Sequence, residues 1–166
     1  QGGAPEVVHL LKAFAAAGVG GPVLALLDND TAGHQGLRAI QSLGLPQNFQ
    51  AITYPDIEIA RSHPTLGPTG LQTMDVNGSA CSIEMYFGLE PLTVAGALSP
   101  VRWTGFNDSM GRYQGEVSKK REIQKQIEQL LDQMEGGQTA PPAGLSAILD
   151  SIVDATTRIQ LHHDRG

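Results

Sequence analysis

The segment Val23-Leu24-Ala25-Leu26-Leu27-Asp28-Asn29-Asp30-Thr31-Ala32-Gly33 opens with five apolar residues and then delivers two aspartates one residue apart. An apolar run closed off by Gly21 and Pro22 before it and by acids after it predicts a strand buried on both faces of a parallel sheet. The carboxylates then leave that strand at its carboxyl end, the edge at which α/β sheets bind ligands.

The flanking residues extend the pattern. Ala4 to Ala17 places Val7, Leu10, Leu11 and Phe14 at helical spacing, with Pro and Glu near its start and Gly18, Gly20 and Gly21 punctuating its end. Helical periodicity resumes from Thr31 to Leu43 through Leu37, Ile40 and Leu43, until Gly44 and Pro46 stop it. Phe49 to Tyr54 reads as a second short strand. Helix, strand, helix, strand predicts a doubly wound α/β layer: a Rossmann-like, partly parallel sheet flanked by helices.

Further along, the signals weaken. Pro55 to Gly78 is rich in Pro and Gly with few periodic apolar residues, and is expected to be a long ordered loop. Ser79 to Phe87 suggests a short helix; Val101 to Phe106 and Arg112 to Tyr113 are strand candidates. Val117 to Met134 is a charged helix with Ile123, Ile127, Leu130, Leu131 and Met134 on one face. A last helix runs from about Leu145 to Leu161, and His162 and His163 are expected at the surface. Residues 1–115 are thus expected to form the core, 116–135 a charged helix, 136–142 a linker, and 143–166 a C-terminal helix and tail. Because the chain starts at Gln1 with a helix running straight into a strand, a fragment lacking upstream sequence is expected.

Composition narrows the function classes. With 166 residues and a net charge of -6, the chain has no general basic surface for non-specific nucleic-acid affinity. Any contact with DNA or RNA must be local or bridged by cations. The single cysteine, Cys81, rules out an internal disulfide and a four-thiolate zinc site. Nothing resembles a signal peptide or a membrane-spanning run, so a cytoplasmic setting and no membrane partner are expected.

Two carboxylates as close as Asp28 and Asp30 repel in low dielectric unless a divalent cation neutralises them. Hard ions such as Mg²⁺ or Mn²⁺ favour one or two carboxylates completed by water and phosphate oxygens. The pair therefore points to metal and phosphate together. The alternative is structural: Asp28 ends the strand and Asp30 caps the following helix.

The motif LALLDNDTAG resembles the acidic motif of the Toprim fold found in topoisomerases, primases and related nucleases. Together with GGAPEVVHLLKAF, the resemblance covers roughly Gly2 to Tyr54. Toprim enzymes carry an essential glutamate on an earlier strand, which this chain lacks; the resemblance therefore implies a core truncated at its N-terminus. The likeness is nearest to OLD-type and other defence-associated Toprim nucleases, in which further acids and a downstream lysine complete a metal-dependent cleavage site. That implies Asp28, Asp30, Glu84 and Asp75 as metal ligands for Mg²⁺ or Mn²⁺ and Lys119 or Lys120 beside the scissile phosphate. It further implies DNA or RNA as partner, an ATPase or other effector domain in the intact protein, and a possible homo-oligomer.

Lesser features have plainer readings beside their functional ones. His34, one turn past the motif, can reach a phosphate or serve structure. Thr65 to Gly70 (TLGPTG) lacks the Lys and Ser or Thr of a P-loop and reads as a loop or lid. Trp103 and Phe106 can stack on a base or fill a core. Two other functions compete with cleavage. LLDND is also similar to the haloacid-dehalogenase phosphatases, with Asp28 as nucleophile, although Ala32 replaces their usual Thr or Val. A non-catalytic Toprim-like or receiver-like assembly module is the third, with the two C-terminal helices as its contact surface and the apolar stripe of Ile123, Ile127, Leu130 and Met134 packing on the core or on a partner.

Overall fold

The computed structural model describes residues 3–163, and side chains through residue 160, so Gly2 and the side chains of His162 and His163 lie outside the described residues. The chain forms two compact units: residues up to Asp28, Ala32–Pro55 and Ile148 onward make the first, and Asn29–Thr31 with Asp56–Ala147 make the second. Both units draw on the stretch 1–115, and the α/β layer expected from the sequence is confined to the first.

In the first unit, helix α1 (Ala4–Ala16) opens with the Gly3 amide donating to the Glu6 carboxylate at 2.9 Å and leads into β1 (Val23–Leu27). The two-residue strand β2 (Asn29–Asp30), which belongs to the second unit, comes next; helix α2 (Thr31–Gln41), in the first unit from Ala32 on, and β3 (Phe49–Thr53) follow. β1 and β3 pair in parallel from Val23↔Phe49 to Leu27↔Thr53. This is the predicted helix-strand-helix-strand order. Its core is Leu11, Ala25, Leu27, Ile40 and Phe49, with Val7, Val8 and Leu37 packed against them.

Burial on both faces of β1 is corrected. Ala25 and Leu27 are buried, but Val23, Leu24 and Leu26 are only half-buried. An unbroken apolar run carries no period-two signal, so it cannot distinguish one covered face from two.

The second unit is organised by a four-stranded sheet in the order β10-β9-β4-β5. Its parts in chain order are α3 (Glu58–Arg61), β4 (His63–Gly67), β5 (Gly70–Met74), β6 (Ala80–Cys81), a 3₁₀ turn (Ile83–Phe87), α4 (Leu89–Leu92), β7 (Thr93–Val94), β8 (Ala97–Leu98), β9 (Val101–Asn107), β10 (Arg112–Val117) and α5 (Lys120–Glu135). β4 runs antiparallel to β5 and parallel to β9, and β9 pairs antiparallel with β10. Helix α6 (Ala143–His163) begins in the second unit and continues into the first.

The long loop expected from Pro55 to Gly78 is therefore a short helix and a hairpin. The inward positions of β4 are His63 and Thr65, both fully buried yet polar, which hides the apolar alternation by which a strand is recognised. Thr65 to Gly70, read as a loop or lid, is the end of β4, a two-residue Pro68-Thr69 turn, and the start of β5; Gly67 pairs with Gly70, whose φ of +96° suits glycine. Likewise Ser79 to Phe87 is a strand followed by a 3₁₀ turn.

The charged helix starts at Lys120 rather than Val117, because Val117 closes β10 and Lys119 adopts a left-handed conformation with φ 55°. Ile123, Ile127 and Leu130 are buried, and α5 packs on α4, the 3₁₀ turn and β7. The buried part of that stripe packs in the core of its own unit, while Leu131 is 40% exposed.

His63 gives this unit a pH dependence. Its Nε2 lies 3.0 Å from the Ser99 carbonyl, while Nδ1 is buried without a partner in hydrogen-bonding geometry. Burial pushes its pKa below the ordinary histidine value, against the opposing pull of the Ser99 and Ile59 carbonyls. The folded state thus favours neutral imidazole, so this contribution is present above the unfolded pKa near 6.5 and is lost as pH falls below it. Urea midpoints are expected to drop between pH 7 and pH 5 in the wild type, and to vary much less in His63→Met. Equal pH dependence in both proteins would rule this out.

Candidate functional site

Asp28 follows the last residue of β1 and is exposed, Asn29 is 1% exposed, and Asp30 is half-buried. At the same edge of the parallel pair, the Tyr54 amide donates to the Leu27 carbonyl at 2.9 Å, so β1 and β3 end together. Gly33, in the first turn of α2, packs so tightly beneath the motif that a Cβ there would overlap the Asp28 carbonyl oxygen. The glycine of the DNDTAG motif is thus a requirement of backbone approach.

Within the second unit, Asn29 is the most constrained member of the motif. Its Nδ2 donates to Asp56 Oδ1 at 2.8 Å, and the Gly78 amide donates to both its Oδ1, at 3.1 Å, and its carbonyl, at 3.0 Å. The strand pairings Asn29↔Cys81 and Asp30↔Ala80 hold the backbone. Thr31 is fully buried, and its hydroxyl donates to the Tyr113 carbonyl at 2.7 Å. The Arg112 guanidinium donates to the Gly78 carbonyl at 3.1 Å. The residues between and after the aspartates, Asn29 and Thr31, are thus locked into the interior of the second unit.

Sequence reasoning missed two members of this network. Asp56, an exposed acid three residues beyond β3, accepts the Asn29 hydrogen bond; the available signal was an acid just past the second parallel strand, in Tyr54-Pro55-Asp56. Tyr86 is fully buried, takes the Cys81 thiol hydrogen bond at 3.7 Å, and has its pKa pushed far up by burial, then by Cys81 and the charge of Asp56. No local pattern announces that role.

The remaining predicted residues fall as follows. Glu84 is 3% exposed in the 3₁₀ turn, and its Oε1 forms an ion pair with Lys120 Nζ at 3.0 Å. Burial opposes its ionisation, but the nearby Ser82 hydroxyl and the Lys120 ammonium outweigh it and hold the carboxyl below its usual range. Ser82 acts from outside strict hydrogen-bond geometry, so Glu84 Oε2 is buried without a partner. Asp75 is exposed and accepts from the Asn77 amide at 2.9 Å and side chain at 3.0 Å, closing its own turn. Lys119 is exposed at the head of α5, and His34 is half-buried in the first turn of α2. Trp103 meets Tyr113 at a tilt and Phe106 meets it edge-to-face, at centroid distances of 5.9 and 5.0 Å, with Phe106 and Tyr113 about half exposed.

The structure therefore joins Glu84 to Lys120, and among the described residues it gathers no group of three His, Cys, Asp or Glu side chains that could hold a metal ion.

Removing the lysine from the Glu84 pair has a defined cost. Lys120→Met leaves a buried carboxylate uncompensated, but Lys120 is itself half exposed, so the loss is discounted to about 1–2 kcal/mol. A second change, Glu84→Gln, is expected to recover much of that loss in a double-mutant denaturation cycle. Additive effects of the two changes would show that the pair is not coupled.

Comparison with family models, with curated proteins and with solved structures finds no match to this chain. The fold and the side-chain arrangement therefore carry the functional argument: a mixed α/β chain with paired helices and a partly parallel strand arrangement, in which, among the described residues, no helix is long and apolar enough to cross a membrane.

Proposed function

We propose that this chain carries the acidic centre of a divalent-metal-dependent nucleic-acid phosphodiesterase of Toprim-like type. The observation that supports it most is the Asp28-Asn29-Asp30 segment: two carboxylates beyond the end of a parallel strand, spaced by an asparagine whose side chain is consumed by Asp56 and Gly78. Helix capping alone needs one carboxylate, not a pair of acids around a locked spacer. Asp28 and Asp30 would hold Mg²⁺ or Mn²⁺, which when bound supplies charge neutralisation at a phosphodiester and activates water. The chain's own contribution is positional. Asn29 and Thr31 fix the backbone on either side of Asp30, and Gly33 lets the helix approach the Asp28 backbone. Glu84 and Lys120 neutralise one another and are assigned to stability rather than to cleavage. Cutting of labelled single- and double-stranded DNA and RNA in Mn²⁺, absent in Asp30→Asn, tests the proposal. Cutting that persists in the variant would sink it.

A role in assembly is favoured by a separate observation on α6, where Leu149 and Val153 lie one turn apart and are 60% and 61% exposed. Sedimentation of the wild type and of Leu149→Glu tests that role: a larger species that dissociates in the variant supports it, and a monomer in both opposes it.

A further inference from the structure

We propose that the head of α5 is a binding pocket for a phosphate-class oxyanion. A cavity of about 230 Å³ lies there, lined by Arg102, Glu116, Val117, Ser118, Lys119 and Lys120. Three of its six lining residues are cations, in a chain whose net charge is -6.

The pairing of those cations is what marks the site. Lys120 is neutralised by Glu84. Arg102 and Lys119 have no ion-pair partner among the described residues, although Glu116 lines the same cavity and stands opposite Arg102 in the β9–β10 register. A cross-strand Arg and Glu are well placed to pair; here the guanidinium stays uncommitted.

The backbone adds a second source of positive potential. Lys119 is the N-cap of a helix of 16 residues and has no side-chain capping bond. Lys119 itself supplies no carboxylate or hydroxyl to this helix end, and the helix dipole places partial positive charge there. The left-handed conformation of Lys119, φ 55° and ψ 37°, turns the chain sharply between buried Val117 and α5. Two cations without an ion pair, Ser118 and the positive end of a helix dipole around one small cavity suit a tetrahedral oxyanion. A carboxylate among them, Glu116, limits affinity and provides a control.

The ligand chemistry is a phosphate group, either a terminal monoester or a backbone diester. The inference deepens the phosphodiesterase reading by naming where a substrate phosphate is held, but it stands on the second unit alone. It is tested without divalent ions: in EDTA at low salt, the full chain is titrated into a labelled short single-stranded oligonucleotide, with or without a 5′-phosphate, and with inorganic phosphate as competitor.

Arg102→Gln and Lys119→Gln are each expected to weaken binding about tenfold, the strength of one charge-assisted hydrogen bond, and to lower the salt slope by about one. Glu116→Gln should tighten binding about twofold or more, by removing a like charge. Preference for the 5′-phosphate with competition by inorganic phosphate would identify a chain-end site, and indifference to the 5′-phosphate a backbone site; both uphold the pocket. Absence of binding by the wild type, or equal binding by a folded Arg102→Gln, Lys119→Gln double variant, overturns it. Loss of ion binding at Asp28 and Asp30 with this pocket intact would remove the phosphodiesterase reading alone.

Discussion

Replacing Asp28 and Asp30 together with asparagine is expected to abolish the heat of Mn²⁺ and Mg²⁺ binding in a calorimetric titration, while leaving the fold in place. Asparagine keeps the shape and one acceptor oxygen of aspartate but removes the charge on which a hard cation depends. Asp28 is exposed and Asp30 half-buried, so neither replacement opens a cavity, and the hydrogen bonds of Asn29 to Asp56 and Gly78 do not involve either carboxylate. Each single change is expected to weaken the ion at least about tenfold, since even outer-shell partners cost that much at metal sites. The opposite outcome is equally informative. If wild type and variant give the same heats and the variant melts earlier, the acids serve the strand end and the helix start, and the phosphodiesterase reading falls.

Gly33→Ala is expected to be the most destabilising small substitution in the first unit, at about 2–3 kcal/mol, the range for forcing extra atoms into a packed site. Two effects compete. Alanine inside a helix normally gains up to about 1 kcal/mol over glycine, through propensity and reduced unfolded-state entropy. Here the added Cβ would overlap the Asp28 carbonyl oxygen and crowd the Asp28 carbonyl carbon and amide at 3.0 and 3.2 Å. Backbone cannot rotate away as a flexible side chain can, so the steric cost wins. Because the displaced backbone is that of Asp28, ion binding should weaken along with stability. Gly20→Ala provides the control: nothing lies within 4 Å of its Cβ position, and its effect should be neutral or slightly stabilising. A Gly33→Ala protein as stable as the wild type in urea would show that α2 shifts freely and that the glycine is not required.

The contrast between the two halves of the chain shows which signals a sequence carries. α1, β1, α2 and β3 were legible because their apolar periodicity, end glycines and prolines are local properties, and β1 and β3 pair across a single intervening helix. The hairpin of β4 and β5 was not, since buried His63 and Thr65 stand where alternation would demand apolar residues. The start of α5 was misplaced for a related reason: helical periodicity continues back through Val117, and only the pairing of Val117 with Val101 makes that residue a strand. At the candidate site, Asp28 and Asp30 were visible as a motif; Asp56 and Tyr86 were not.

Asp28 and Asp30 beyond an apolar strand, the glycine after them and the helix-strand-helix-strand order follow from the amino-acid sequence, because burial pattern and turn chemistry act over a few neighbouring residues. Only the tertiary structure decided that Asn29 and Thr31 are locked, that Glu84 is spent on Lys120, and that Arg102 and Lys119 face a cavity uncommitted. Those outcomes depend on contacts such as the one from Thr31 to Tyr113, 82 residues away. Whether a polar group is satisfied, or a charge neutralised, is a property of a pair, and the pairs are made when the chain folds.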